Sequence, residues 1–312
     1  MNSMDLTFRK ICLQDKEKIE SLALQDGTKS CQHTFANIYS LREKYETQIS
    51  FYNEMVLLRI PIMDEAGYEA YRFPFGGSNI LDTVQRILAH ADHNNNKCLF
   101  YNITEEQHEF LESEMQNQWV FEENRNWAEY IYKSEKFNNY PGDVLRKKRQ
   151  HLQKFNRLYD NRYAIEKISQ NNIEEIKAYQ AKWLFQKVSP QNNFADLGAA
   201  NLCFENKKIL KELACFNELG LHGVALRIDG IIRGYCYGTA ITDDTIDYLV
   251  LKGDRDIHGS YTVLTHSFVL KCYSHGYRFI NFEEDLGLSG LRQMKNSYVP
   301  DLLLFKYIAR QC

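Results

Sequence analysis

Residues 222–261 read HGVALRIDGIIRGYCYGTAITDDTIDYLVLKGDRDIHGSY, and the fold is decided there. His222 to Ile228 alternates as a half-buried strand does and ends on Asp229-Gly230, a two-residue hairpin signal. A second strand, Ile231 to Ile241, runs to a turn at Thr242-Asp243-Asp244, and a third, Ile246 to Leu251, is apolar enough to be central. The loop from Lys252 to Gly259 leads into a helix over Ser260 to about Ser274, and a buried strand follows over Tyr277 to Phe282. Upstream, a short strand near Ile165 to Ile168 and helices over about Asn172 to Phe185 and Lys207 to Leu219 complete this half.

The first half repeats the plan. Strands near Gln48 to Tyr52, Met55 to Ile60 and Tyr68 to Phe75 turn at Asn53-Glu54 and at Asp64 to Gly67; Gly76-Gly77-Ser78 opens a helix to about His93, and Lys97 to Ile103 is the next strand. The shared order of meander, Gly-Ser, helix and strand argues for duplication. An antiparallel meander whose last strand passes through a glycine loop into a helix, then into a parallel strand, is the core of the GNAT fold. The expected class is therefore α+β, a mixed sheet in tandem GNAT-like acyltransferase domains; a generic α+β domain is the alternative. The expected division is 1–138 as a degenerate, structural first domain, 139–162 as a basic bridging helix, and 163–312 as the active domain.

Length supports two domains: 312 residues are too many for one ordinary core. With 44% hydrophobic and 25% charged residues the chain is not disordered, and five prolines leave no long linker. Met1 to Lys18 lacks the apolar core of a secretory signal, and no run of eighteen apolar residues occurs, so no membrane span is expected. Eight cysteines without a C-x-x-C pair point to reduced thiols in the cytoplasm rather than a metal or dithiol site. Net charge is −3, yet Leu145 to Arg162 carries seven Lys and Arg against Asp160 alone.

Three stretches carry candidate chemistry. In the loop Asp254-Arg255-Asp256-Ile257-His258-Gly259-Ser260, a strand feeds a helix whose first-turn N–H groups and dipole favour a phosphate. GNAT enzymes bind the coenzyme A pyrophosphate at such a loop, of the form Q/R-x-x-G-x-G/A; this chain offers Arg255, Gly259 and Ser260, with one extra residue and one glycine. His258 and Tyr261 border the loop, and plain helix capping by Ser260, and by Ser78 in the first half, is the bland alternative. The second stretch is Glu283-Glu284-Asp285, at the carboxyl end of its strand. Mutual repulsion there favours one carboxyl keeping its proton and serving as a general base, while pairing with Arg292 and Lys295 is the structural alternative. The third is the basic segment, where Leu145, Leu152, Phe155 and Tyr159 fall at helical spacing. Its cationic face, with Arg146, Lys147, Lys148, His151, Lys154 and Arg157, is either simply solvated or receives tRNA.

Two motifs resemble one family. The first is Tyr140-Pro141-Gly142-Asp143 with Lys148-Arg149, His151, Lys154-Phe155-Asn156 and Tyr159. The second is Asn281, Glu283-Glu284-Asp285, Gly287, Gly290-Leu291-Arg292, Lys295, Ser297-Tyr298 and Pro300, ending in Phe305-Lys306-Tyr307. Together they resemble the C-terminal domain of phosphatidylglycerol lysyltransferase, over nearly the whole chain. The resemblance implies a tandem GNAT-like protein akin to the Fem transferases, which take amino acids from aminoacyl-tRNA. The chain departs from the lysyltransferase in having no membrane-spanning half.

The resulting expectation is an acyltransferase moving an aminoacyl group from aminoacyl-tRNA to an amine or hydroxyl acceptor, be it a small molecule, peptide or lipid head group. No cofactor is expected to be tightly bound; the cosubstrate is aminoacyl-tRNA or acyl-CoA. The donor's phosphates would lie at Arg255, Gly259 and Ser260, in a cleft between the domains. Glu283, Glu284, Asp285 and Tyr298 would act on the reacting groups, with Arg292 and Lys295 on an oxyanion or carboxylate. An acetyl-CoA-dependent N-acetyltransferase is the first rival, and a non-catalytic RNA- or ligand-binding GNAT-like module the second.

Overall fold

The structure is a computed structural model that describes residues 6–188 and 198–312. In chain order the strands are β1 (Arg9–Lys10), β2 (Gln48–Tyr52), β3 (Met55–Arg59), β4 (Tyr68–Arg72), β5 (Phe75–Gly76), β6 (Lys97–Ile103), β7 (Trp119–Glu123), β8 (Glu129–Lys133), β9 (Tyr163–Lys167), β10 (His222–Ile228), β11 (Ile231–Ala240), β12 (Thr245–Gly253), β13 (Phe279–Glu284), β14 (Leu302–Leu304) and β15 (Tyr307–Gln311). The helices are α1 (Lys16–Asp26), α2 (Phe35–Leu41), α3 (Ile80–His93), α4 (Glu105–Glu114), α5 (Arg146–Tyr159), α6 (Ile173–Val188), α7 (Gly198–Ala214), α8 (Ser260–Ser274) and α9 (Ser289–Asn296). The chain divides into two compact units. The first is Met1–Glu129 with Glu284–Gly287 and Leu303–Cys312; the second is Tyr130–Glu283 with Leu288–Leu302.

The first unit carries a sheet in the order β1-β2-β3-β4-β6-β15-β7, with β5 on β3. Asn53 and Glu54 both take left-handed backbone at the β2–β3 turn, as a tight hairpin requires. Parallel β4 and β6 stay paired from Tyr68↔Lys97 to Arg72↔Tyr101. The Gly76-Gly77 pair serves packing: a Cβ on Gly76 would lie 2.8 Å from the Glu54 carbonyl oxygen, and the Gly77 N–H donates to that oxygen at 3.0 Å. Ser78 does not cap α3, whose N-cap is Asn79, with no side-chain bond. One buried ion pair stands out. Lys306 Nζ lies 2.7 Å from Glu129 Oε1, Ser30 Oγ donates to that carboxylate at 2.7 Å and the Cys31 N–H at 2.8 Å.

The second unit carries a sheet in the order β14-β8-β13-β12-β11-β10-β9. Asp229 and Gly230 both sit in the left-handed region, so the β10–β11 hairpin has the turn its residues signal. The helix expected over Lys207 to Leu219 runs from Gly198 to Ala214, because Asn217 to Leu221 closes a glycine turn at Gly220 instead. Parallel β12 and β13 pair only from Thr245↔Phe279 to Asp247↔Asn281, although β12 continues, paired with β11, as far as Gly253. The strands therefore part after Asp247 and Asn281. Opposite that point β11 is bulged between Tyr237 and Thr239, and a bulge bends its neighbours. The first unit has no such parting between β4 and β6.

Candidate active site

The loop before α8 is closed by its own hydrogen bonds. Ser260 Oγ donates to the Asp254 carbonyl at 2.7 Å and its N–H to the Ile257 carbonyl at 3.2 Å, while the Asp256 N–H donates to Asp254 Oδ1 at 3.0 Å. Ser260 is thus buried and turned into the loop, and the N-cap of α8 is Gly259. Gly259 has φ +80°, and a Cβ there would sit 3.1 Å from the His151 carbonyl oxygen and 3.2 Å from Phe155 Cβ. Only glycine lets α5 approach this closely. The loop and the basic helix, named separately from sequence, meet at this residue. His151 and His258 face each other edge to face at 5.3 Å, and His258 Nε2 is buried with no hydrogen-bond partner among the described residues. Burial and the charges of His258, Lys148, Lys147 and Lys154 all hold the His151 imidazole below its ordinary value. Arg255 is exposed, and the Tyr261 ring packs over Gly253.

Lys148 occupies the inner side of α5. It is three residues after Leu145 and four before Leu152, so helical spacing turns it toward the packed face, whereas Arg146, Lys147, Lys154 and Arg157 are exposed. Its ammonium lies 3.5 Å from the centre of the Tyr298 ring, a cation–π contact. Among the described residues no carboxylate pairs with it, and burial lowers its pKa to about 8. Burial likewise raises Tyr298 to about 12, against the opposing hydrogen bonds of Thr265 and Thr262 from α8. The first motif braces this arrangement: Arg149 Nη1 donates to the carbonyls of Tyr140 and, at 2.6 Å, Gly142. Tyr140 in turn packs its ring against Tyr298, centroids 6.2 Å apart. Sequence reasoning missed Thr262 and Thr265 here and named Tyr140 only as part of the first motif; the position of Lys148 among Leu145 and Leu152 was the available signal.

The three carboxylates diverge. Glu283, with φ +57°, belongs to the second unit, and Asn281 Oδ1 accepts its N–H at 2.7 Å. Its charge, with those of Glu212 and Asp247, surrounds Lys208, which is ion-paired to Glu212 at 3.1 Å. Burial pulls Lys208 down, but these carboxylates outweigh it and hold the ammonium above its usual range. Glu284 and Asp285 belong to the first unit. There Gln32 Nε2 donates to Glu284 at 2.5 Å, and fully buried Asp285 takes the Gly287 N–H at 2.8 Å and Arg125 at 3.5 Å. Lys295 is buried and donates to the Phe282 carbonyl; Arg292 is half-buried on α9. The structure therefore brings together Lys148, His151, His258, Gly259, Ser260 and Tyr298, with Glu283 in the same unit. For a metal, Cys31, Glu129 and Glu284 offer ligand atoms within 4.8 Å of one another, but Lys306 already supplies a cation to Glu129.

Among the described residues no helix is long and apolar enough to cross a membrane. The family model described as phosphatidylglycerol lysyltransferase, C-terminal, matches residues 27–310. A conserved protein of unknown function from Bacteroides thetaiotaomicron VPI-5482 is 26% identical with a TM-score of 0.89, over 98% of this chain and 100% of that one. L-PGS from Bacillus licheniformis is 16% identical with a TM-score of 0.65, over 95% and 92%. FemX is 9% identical with a TM-score of 0.56, over 98% of both chains, and shares the fold. No curated protein matches. A match across most of the chain, on an α+β frame of two GNAT-like sheets, makes this protein a transferase of the phosphatidylglycerol lysyltransferase C-terminal family.

Proposed function

We propose that the protein moves an aminoacyl group from aminoacyl-tRNA to an amine or hydroxyl acceptor in the cytoplasm, and that its second unit does the chemistry. One observation carries the reading: the exposed cations of α5 lead directly to a half-buried lysine, without a carboxylate partner among the described residues, beside the start of α8. The outer face suits the phosphates of a tRNA acceptor end. The acceptor nitrogen or oxygen attacks the ester carbonyl, its proton passes to neutral Lys148, and Lys148 returns a proton to the ribose oxygen as the C–O ester bond breaks and the terminal hydroxyl leaves. With its pKa lowered to about 8, Lys148 is mostly ammonium at pH 7 but reaches the free amine that a general base needs within about one pH unit above it. Tyr298 stays protonated and holds Lys148 in place, while Glu283 and its buried neighbours set the charge near the strand parting. Support for an active second unit is that its parallel strands part while those of the first do not. The packing of α5 directly on Gly259 counts against coenzyme A, whose pyrophosphate would need the space beside that loop.

Filter binding to mixed aminoacylated tRNA with coenzyme A as competitor tests the donor. Retention of tRNA with coenzyme A present is the expected result; displacement by coenzyme A, or binding of coenzyme A alone, makes the protein an acyl-CoA enzyme. Changing Arg146, Lys147, Lys154 and Arg157 together to Glu should weaken tRNA binding at least a hundredfold. The slope of log affinity on log salt should fall by about 1 for each phosphate no longer neutralised. If affinity and slope stay as they were, α5 is only a solvated surface.

Turnover should rise with pH and level off above about 8, as Lys148 loses its proton. Lys148→Met should lower the rate about a hundredfold and remove that limb from the profile. A variant that keeps the limb would place the base elsewhere.

A further inference from the structure

In the first unit, a small open pocket is lined by Gln32, Asn37, Tyr45, Thr47, Leu58 and Arg72. Arg72 closes β4, where it follows the buried Glu69, Ala70 and Tyr71. Its Nη1 is buried and has no hydrogen-bond partner among the described residues, and no described carboxylate forms an ion pair with the guanidinium. Burial pulls the group below its ordinary value, although the charges of Glu284 and Glu129 work the other way. The neighbouring carboxylates are engaged already: Glu129 with Lys306, and Glu284 with Gln32. A buried charge without a partner is costly, and Lys306 and Arg59 of the same unit each have one. Arg72 faces a cavity instead.

We propose that the Arg72 pocket is a binding site for a small monocarboxylate. A guanidinium matches a carboxylate as a planar fork, with two parallel N–H donors meeting two oxygens. Leu58, with Ile38 and Leu41, gives the pocket an apolar side suited to a short aliphatic tail, while Thr47 and Tyr45 offer hydroxyls. The negative charge of Glu284 near Arg72 favours a monoanion and opposes a doubly charged phosphate. The α-carboxyl of an ester-bound aminoacyl donor is not free to meet the guanidinium, so the ligand is a separate carboxylate and the site stands apart from the ester that reacts.

Titration of the full chain with sodium propionate and, separately, inorganic phosphate at constant ionic strength, read by calorimetry, tests this. Propionate should bind, phosphate should bind at least tenfold more weakly, and Arg72→Gln should weaken propionate at least tenfold. Leu41→Trp, which fills the pocket and keeps Arg72, should also remove binding, and it decides the matter should Arg72→Gln fail to fold. Absence of propionate binding, a preference for phosphate, or affinity unchanged in a folded variant would overturn the assignment.

Discussion

Gly238→Ala is expected to leave little or no folded protein, with a loss of at least about 3 kcal/mol in urea denaturation. A Cβ at this position would sit 1.8 Å from the Asp247 carbonyl oxygen and 3.2 Å from the Phe268 ring. Neither neighbour can give way. Asp247 lies on a wholly buried stretch of β12, held by β11 on one side and β13 on the other, and Phe268 is in the core under α8. Relief would require undoing the bulge, and with it the register of the two longest strands of the second unit. Because the bulge faces the point where β12 and β13 part, a partly folded variant should also lose transfer activity. A variant with the wild-type denaturation midpoint would mean that β11 and β12 can re-register freely.

Lys306→Met is expected to cost about 3–5 kcal/mol at pH 7, because it strands the Glu129 carboxylate in the core. Burial alone would raise the Glu129 carboxyl, but the charge and hydrogen bond of Lys306, with those of Ser30 and the Cys31 amide, bring it below its usual value of 4.5. A folded value below the unfolded one stabilises the wild type above about 4.5, and the gain is lost as pH falls through the folded value. In Lys306→Met the sign reverses: burial dominates, the carboxyl rises above its unfolded value, and acid should recover stability by protonating it. Denaturation midpoints at pH 7 and pH 5 read this directly, with the difference from wild type shrinking at pH 5. Glu129→Gln/Lys306→Met should regain much of the loss, since both charges are gone. A single variant as stable as wild type would show that water reaches Glu129.

What could be read in the sequence was whatever local chemistry writes. Asn53-Glu54 and Asp229-Gly230 turn where hairpin residues must, and β2, β10 and α8 have the bounds their patterns suggest. The meeting of α5 with Gly259 could not be read, since nothing in either segment specifies the other; only the missing Cβ, seen in space, explains why that glycine is there. The parting of β12 and β13 was hidden for the same reason, as it depends on a bulge in a third strand. Glu283-Glu284-Asp285 looked like one acidic cluster, but the left-handed turn at Glu283 sends neighbours to different surroundings. Lys306 was visible as part of a motif, and its partner Glu129 was not, because sheet pairing across most of the chain's length brings them together.

The place of β15 in the first sheet, between β6 and β7, bears on how the molecule comes into being. A chain leaving the ribosome makes β6 and β7 early, yet the strand that joins them arrives only after Tyr130–Glu283 has been synthesised. Until then β6 is an exposed edge and β7 lacks its sheet partner, the kind of surface that invites pairing with another chain. The first unit therefore stays incomplete while residues 124–306 are made, and is exposed to misassembly over that stretch of synthesis.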